Sequence, residues 1–198
     1  MDEFSYEIKV PKERLAVLIG TDGETKKKIA EETESTINVD SKEGGVIVSG
    51  QDAIKLLSAR EIIKAIARGV NPNIAFLLLK ADYLLDIISI NDYTNKSKNS
   101  LVRVKGRIIG SQGKTRKLIE ELTETHVCAY GKTVTIIGTS ERASIARRAI
   151  VSLLTGSPHA SVYKWLEKKC KELKNSENMF KEDFDSYVRD DAMNPKTD

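Results

Sequence analysis

The feature that most constrains this chain is a match to itself at an offset of 90 residues, IGTDGETKKKIAEETE from Ile19 against IGSQGKTRKLIEELTE from Ile109. Gly20 and Gly110, Gly23 and Gly113, Thr25 and Thr115, Lys27 and Lys117, Ile29 and Ile119, and Thr33 and Thr123 are identical pairs. Solenoid repeats recur every 20 to 50 residues or so, so a longer offset means two domains of one design. With 198 residues, 40% of them apolar, the chain has enough material for two small cores.

Each copy reads as the same series of elements. Phe4 to Val10 alternates as a strand, Pro11 opens a helical stretch to Ile19, and Gly20 to Gly23 breaks it. A helix from Thr25 to Glu34 follows, then β-branched strands Thr36 to Val39 and Val46 to Val48 around Glu43-Gly44-Gly45. A helix from Asp52 to Arg68 stops at Gly69, with Ile54, Leu57, Ile62, Ala65 and Ile66 as its apolar face. The second copy gives a strand from Tyr83 to Ile90, a helix from about Ser100, a break at Gly110 to Gly113 and a helix to Thr123. Strands His126 to Tyr130 and Thr133 to Ile137 and a helix from Ser140 to Leu154 complete it. The order is βααββα twice, an α+β fold with units at 1–70 and 71–156. A short apolar helix from Asn73 to Lys80 joins them, and Ser157 as N-cap with Pro158 behind it starts a C-terminal helix over 157–174.

Charge is distributed unevenly along this plan. Residues 1–69 hold 11 Lys and Arg against 13 Asp and Glu, residues 70–174 hold 18 against 9, and residues 175–198 hold 3 against 7. Between Asp92 and Glu120 there is no acid, while Lys96, Lys98, Arg103, Lys105, Arg107, Lys114, Arg116 and Lys117 fall in that interval. A basic middle with acidic ends suits a polyanion at one place on the surface. Cys128 and Cys170 are the only cysteines, and with two histidines they offer neither a disulfide framework nor a metal centre. No catalytic group, metal or cofactor is expected. The longest apolar run, Ile74 to Leu79, falls far short of a membrane span, and the chain is expected to be soluble and cytoplasmic.

A Gly-x-x-Gly turn between two helices lets a nucleic-acid backbone approach, and the helix behind it offers free N–H groups and a positive dipole end to a phosphate. The run Ile108-Ile109-Gly110-Ser111-Gln112-Gly113-Lys114-Thr115-Arg116-Lys117-Leu118-Ile119 resembles a type I KH domain, as does Leu18-Ile19-Gly20-Thr21-Asp22-Gly23 onward to Ile29. That resemblance implies a three-stranded antiparallel sheet packed on helices in each unit, and single-stranded RNA clamped across the loop. Together with TVTIIG and GSPHASVYKWLE, the second loop resembles the archaeal KH-domain relatives of Partner-of-Nob, also called Dim-two.

The family resemblance implies a non-enzymatic small-ribosomal-subunit assembly factor that binds near the 3′ end of the small-subunit rRNA. Its implied partners are the PIN-domain endonuclease that trims that end, the rRNA adenine dimethyltransferase, and the α subunit of translation initiation factor two. RNA contacts carry over to Gly110, Ser111, Gln112, Gly113, Lys114 and Arg116. Ile108 and Ile109 are expected to floor the groove, and Arg103, Lys105, Arg107 and Lys117 to meet phosphates. The first loop carries Asp22 and Glu24 where phosphates would lie, so Gly20, Thr21, Gly23, Lys26 and Lys27 are the weaker contacts. Two other readings stay open: an accessory KH protein of RNA degradation or translation, and a protein-interaction scaffold.

Some local signals point elsewhere. Gly113-Lys114-Thr115 imitates the end of a phosphate-binding P-loop, but position 108 is Ile where that motif needs Gly. His126 and Cys128 alternate on one strand without further ligands nearby, His159 is expected to cap or lie at the surface, and Trp165 to be core. The acidic tail 175–198, with Pro195 near its end, is expected to be mobile or ordered by a partner, although Phe180, Phe184 and Tyr187 keep a short helix open.

Overall fold

The computed structural model describes residues 4–40, 43–94 and 97–193. The first unit runs β1 (Phe4–Lys9), α1 (Lys12–Ile19), α2 (Glu24–Glu32), β2 (Thr36–Val39), β3 (Gly45–Gly50) and α3 (Ala53–Ala67). A connector follows, made of α4 (Pro72–Ala75) and a 3-10 turn over Phe76–Leu79. The second unit runs β4 (Tyr83–Ser89), α5 (Lys98–Ile109), α6 (Lys114–Thr123), β5 (His126–Tyr130), β6 (Thr133–Thr139) and α7 (Ser140–Leu154). Both sheets are antiparallel and place the last strand in the middle, β1-β3-β2 and β4-β6-β5.

The repeat extends into the packing. Leu18, Ile29, Leu56, Ile62, Ile63 and Ile66 are fully buried in the first core, and Ile108, Ile119, Ile136, Ala149, Ile150 and Leu153 in the second. Burying each large aliphatic side chain contributes roughly 1.5–3 kcal/mol. Thr33 donates to Ile29 O at 2.6 Å and pairs with Ser35 at 2.8 Å; Thr123 donates to Ile119 O at 2.7 Å and pairs with Thr125 at 2.8 Å. In each copy a buried hydroxyl ties the end of the second helix to the strand after it. Ile54 and Leu57, expected on the apolar face of α3, are instead exposed, because that helix buries the stripe through Leu56, Ala59, Ile63 and Ile66.

Every residue of β6 from Thr133 to Gly138 is buried, on both faces of its sheet. Val134 and Ile136 face the second core, whereas Ile137 belongs to the first core, with Tyr83, Leu85 and Cys128 packed against it. The second sheet is therefore sandwiched between the units. Tyr130 reinforces the junction by donating a hydrogen bond to Glu13 beneath the Arg14 guanidinium, and a Cβ on Gly69 would lie 2.6 Å from the Tyr130 ring. That hydrogen bond is the main reason the Tyr130 phenol titrates above its ordinary value.

The C-terminal helix α8 spans His159–Met193, one turn-for-turn continuation past the expected end at 174. The acidic tail, expected to be mobile or ordered by a partner with a short helix open at Phe180, Phe184 and Tyr187, continues the helix as far as Met193, with no Gly or Pro in the way before Pro195. Pro158 O accepts the first helical N–H, from Val162, so the cap lies one residue beyond Ser157. Val162, Leu166 and Cys170 are buried on the second core one turn apart, and Trp165 sits half-buried at its edge beneath Arg148. Arg142 bridges Glu124 and Glu177, and Lys174 reaches Glu124 at 3.2 Å. Partial burial opposes the Glu124 charge, but Lys174 and Arg142 outweigh it and hold its carboxyl below the ordinary range.

Candidate nucleic-acid interface

The two Gly-x-x-Gly turns have one backbone. Gly20, Asp22 and Gly23 have φ of 77°, 52° and 79°; Gly110, Gln112 and Gly113 have 73°, 53° and 76°. The two glycines of each turn have different physical duties. A Cβ on Gly110 would lie 2.3 Å from Thr115 Oγ1, and one on Gly20 2.4 Å from Thr25 Oγ1, so the leading glycine serves internal packing. A Cβ on Gly23 or Gly113 would meet nothing within 4 Å, so the trailing glycine alone leaves open space outside the turn.

The helices behind the turns differ in charge. No side chain caps α2 or α6. Glu24 begins α2 with the acid that a helix N-terminus favours, whereas α6 begins with Lys114 and carries no acid in its first turn. A cation there costs roughly 0.3–1 kcal/mol, and a bound anion reverses the sign.

Beside the second turn lies a groove of about 340 Å³. Ile109 from α5, Arg116 and Glu120 from α6, and His126, Val127, Cys128 and Ala129 from β5 line it. Gly69 to Asn71 and Ile74, the end of the first unit and its connector, close it. Helical spacing sets Lys105 and Gly106 on the Ile109 side of α5. Burial raises the pKa of the Cys128 thiol against the opposing charges of Arg14, Arg116 and Lys105.

Several expected contacts belong elsewhere. Ile108 is fully buried in the second core, not at a groove floor, because the 101-104-108 stripe of α5 faces inward. Arg107 donates from Nε to Leu153 O at 3.1 Å and from Nη2 to Ser157 O at 2.6 Å, clamping α5 to the end of α7. Arg14 does the same for α1 and α3, with 2.8 Å bonds to Ile66 O and Val70 O. Arg103, on the Arg107 side of the helix, lines a different cleft of about 440 Å³ with Tyr93, Ser100 and Thr155. Arg116 stays in the groove but is held by Glu120 and Val127 O, each at 3.3 Å. Lys114 and Lys117 are exposed beside the turn, with Ser111 and Gln112 at its tip, and neither lysine has an ion pair among the described residues. Lys96 lies outside the described residues.

Sequence reasoning missed a brace. Tyr163 on α8 pairs with Thr115 Oγ1 at 2.8 Å, and His159 Nε2 lies 3.0 Å from Arg107 O with its ring edge-on to Tyr163. The second turn is thus propped from behind by α8. The aligned Thr25 of the first unit has no such side-chain hydrogen bond among the described residues; nearby on α2, Lys28 lies over the ring of Phe76 from the connector. The cleft beside β2 in the first unit, about 420 Å³, contains Lys26, Asn38 and Val39 at positions aligned with Arg116, Cys128 and Ala129. Glu7, Asp40 and Glu43 surround them. Thr21 and Lys27 are exposed at that turn, which is where the weaker contacts were expected.

Comparison with known proteins matches residues 84–171 to the eukaryotic type KH domain (KH domain type I), and residues 5–67 to the KH domain. A KH domain-containing protein of Methanocaldococcus jannaschii is 40% identical over 193 residues, covering 95% of this chain and 84% of that one. The pre-rRNA-processing protein PNO1 of Coccidioides immitis is 36% identical over 113 residues, 57% of this chain and 44% of that protein, so the chain spans less than half of that relative's length. Among solved structures, a chain in the crystal structure of an a/eIF2alpha–aDim2p–rRNA complex from Pyrococcus horikoshii is 43% identical, with a TM-score of 0.81 over 86% of this chain and 96% of that one.

Proposed function

This chain belongs to the Dim2/PNO1 family of KH-domain proteins, and on that premise we propose that it is an RNA-binding ribosome assembly factor whose second unit holds single-stranded rRNA. The observation that carries the reading is the contrast between two superimposable turns. The first carries Asp22 and is followed by Glu24, and the cleft beside β2 in its unit is lined by Glu7, Asp40 and Glu43; the second is followed by Lys114 and Lys117 and lies beside a groove in which Glu120 is the one acid of the lining. The backbone of the strand passes the open side of Gly113, its phosphates meet Lys114, Lys117 and the N-terminus of α6, and its bases turn toward Ile109 and the outer edge of β5.

A single-stranded target is supported by the groove of about 340 Å³ walled by the first unit, whose size suits splayed bases. An rRNA target and the α subunit of translation initiation factor two as partner are supported by the solved complex of a relative with an rRNA and that protein; within the rRNA, the region proposed is the 3′ end of the small-subunit rRNA, as the family resemblance implies. The PIN-domain endonuclease and the adenine dimethyltransferase act beside it in this reading, and the protein performs no covalent step itself.

Fluorescence anisotropy with a single-stranded RNA matching that 3′ end, a scrambled strand and a duplex tests this. Selective binding of the first is expected, with affinity falling steeply as salt rises, by a slope of about 0.7 for each phosphate contact. Equal binding of all three, or binding indifferent to salt, contradicts it.

A further inference from the structure

The groove of this polyanion-binding turn contains one acid, and nothing in a phosphate clamp calls for it. Glu120 Oε1 accepts the Val127 N–H at 2.8 Å, Arg116 Nη1 lies 3.3 Å from both carboxylate oxygens, and the same Nη1 donates to Val127 O at 3.3 Å. The pair therefore occupies both outward-facing backbone groups of Val127, on the free edge of β5. Edge-strand alternation makes Ala129 the next residue facing outward, and its N–H and C=O have no partner among the described residues. At the aligned positions the first unit has Lys26 and Ala30, so the arrangement exists only in the second groove.

A carboxylate fixed in that wall repels a phosphate and accepts a base. Its two oxygens offer about four lone-pair directions, of which the contacts to Val127 and Arg116 use only part. We propose that Glu120 is a specificity-determining residue: its carboxylate accepts the amino group of a base while Arg116 donates to the adjacent ring nitrogen or carbonyl, so one nucleotide position favours cytosine, adenine or guanine over uracil. Cytosine and adenine present an amine beside an acceptor, and guanine presents two donors beside a carbonyl; each matches an acid next to a guanidinium. Uracil has a single donor flanked by two carbonyls, one of which must then oppose a carboxylate oxygen. The inference rests on the RNA-binding reading above.

The test uses the full chain, a short single-stranded RNA built from A, C and G, and a set in which uridine replaces each position in turn. Wild type is expected to lose about tenfold in affinity when uridine occupies one particular position. Glu120→Gln retains an oxygen for the Val127 N–H but replaces the other with a donor, and should erase the uridine penalty at that position while leaving the other positions unchanged. Glu120→Ala, followed by thermal unfolding, reports separately on the strut between α6 and β5. A Glu120→Gln variant that keeps the penalty, or that weakens every RNA by one common factor, makes Glu120 a structural strut and overturns the proposal, as does a wild type without any penalised position. Failure of the parent RNA to bind at all instead removes the RNA-binding reading and this inference with it.

Discussion

The first and second units share a turn whose dihedral angles agree to within 4°, a leading glycine pressed on a threonine, and a buried hydroxyl pair at the end of the following helix. They differ in whatever packing leaves free. The residue after the turn is Glu24 in one and Lys114 in the other, Lys26 and Ala30 stand at the positions aligned with Arg116 and Glu120, and the second turn is braced from behind by a long helix through a contact that has no counterpart at Thr25 among the described residues. Identity at the leading glycine, at Thr25 and Thr115, at Ile29 and Ile119 and at Thr33 and Thr123 thus marks what the turn and its helix need in order to fold, whereas the trailing glycine and the Lys27–Lys117 pair recur without packing on anything. Difference marks where the chemistry lies, and reading the glycines alone would credit both units with the same activity.

The comparison breaks most readily at its charges. Reversing Lys114 and Lys117 together to Glu should weaken RNA binding on the order of 100-fold at low salt and reduce the salt slope by about 1.4, at 0.7 per lost contact. The same double reversal at Lys26 and Lys27 should change affinity less than about threefold, measured by anisotropy across a salt series. An equal loss at both sites would mean that both units bind.

The arginine clamps sharpen it next, because they should be indifferent to RNA. Arg14→Ala and Arg107→Ala each remove two bonds from a guanidinium to buried-end carbonyls and should each cost about 2 kcal/mol of stability by urea unfolding. Neither should alter the salt slope. A smaller slope in Arg107→Ala alone would return that residue to the phosphate-binding set.

Tyr163→Phe leaves Thr115 Oγ1 without its partner and should weaken binding about fivefold, near 1 kcal/mol, with the midpoint of unfolding little changed. Smallest is a footprint. Cys128 lines the second groove and Asn38 occupies the aligned place in the first cleft. Bound RNA should slow alkylation of Cys128 severalfold and leave Asn38→Cys unaffected, read by mass spectrometry of the labelled peptides.

Much of this was legible in the sequence, and the exceptions have physical causes. The 90-residue offset predicts the element order of both units because a Gly-x-x-Gly turn and its helix recur in register and, with small gaps, a pair of β-branched strands follows in each. The arginine clamps escape because Arg14 and Arg107 stand 93 residues apart, one helical turn out of register, and reach equivalent carbonyls from different steps. Ile108 looked like groove floor because an Ile-Ile pair does not reveal which member faces inward; its spacing to Leu101 and Val104 does. Burial of β6 on both faces is foreshadowed by the nearly unbroken β-branched run TVTIIGT, which does not alternate as a strand with one wet face would. Composition pointed to an acidic tail that is mobile or ordered by a partner, with a short helix left open by the spacing of Phe180, Phe184 and Tyr187; the helix extends to Met193, and no Gly or Pro interrupts it before Pro195. The Tyr163 brace joins residues 48 apart and leaves no local signal.

The central claim, that one of two superimposable turns binds RNA, is tested most directly by placing the same substitution in both. At Gly23 (φ 79°, ψ 10°) and Gly113 (φ 76°, ψ 12°) an added Cβ meets nothing within 4 Å. Aspartate tolerates this left-handed conformation better than most residues, so Gly23→Asp and Gly113→Asp should carry the same strain, on the order of 1 kcal/mol, and each controls for the other. Anisotropy with the single-stranded rRNA 3′ segment is predicted to show at least a tenfold loss for Gly113→Asp and near wild-type affinity for Gly23→Asp, at matched unfolding midpoints. Equal losses in the two variants, or a greater loss for Gly23→Asp, would contradict the account.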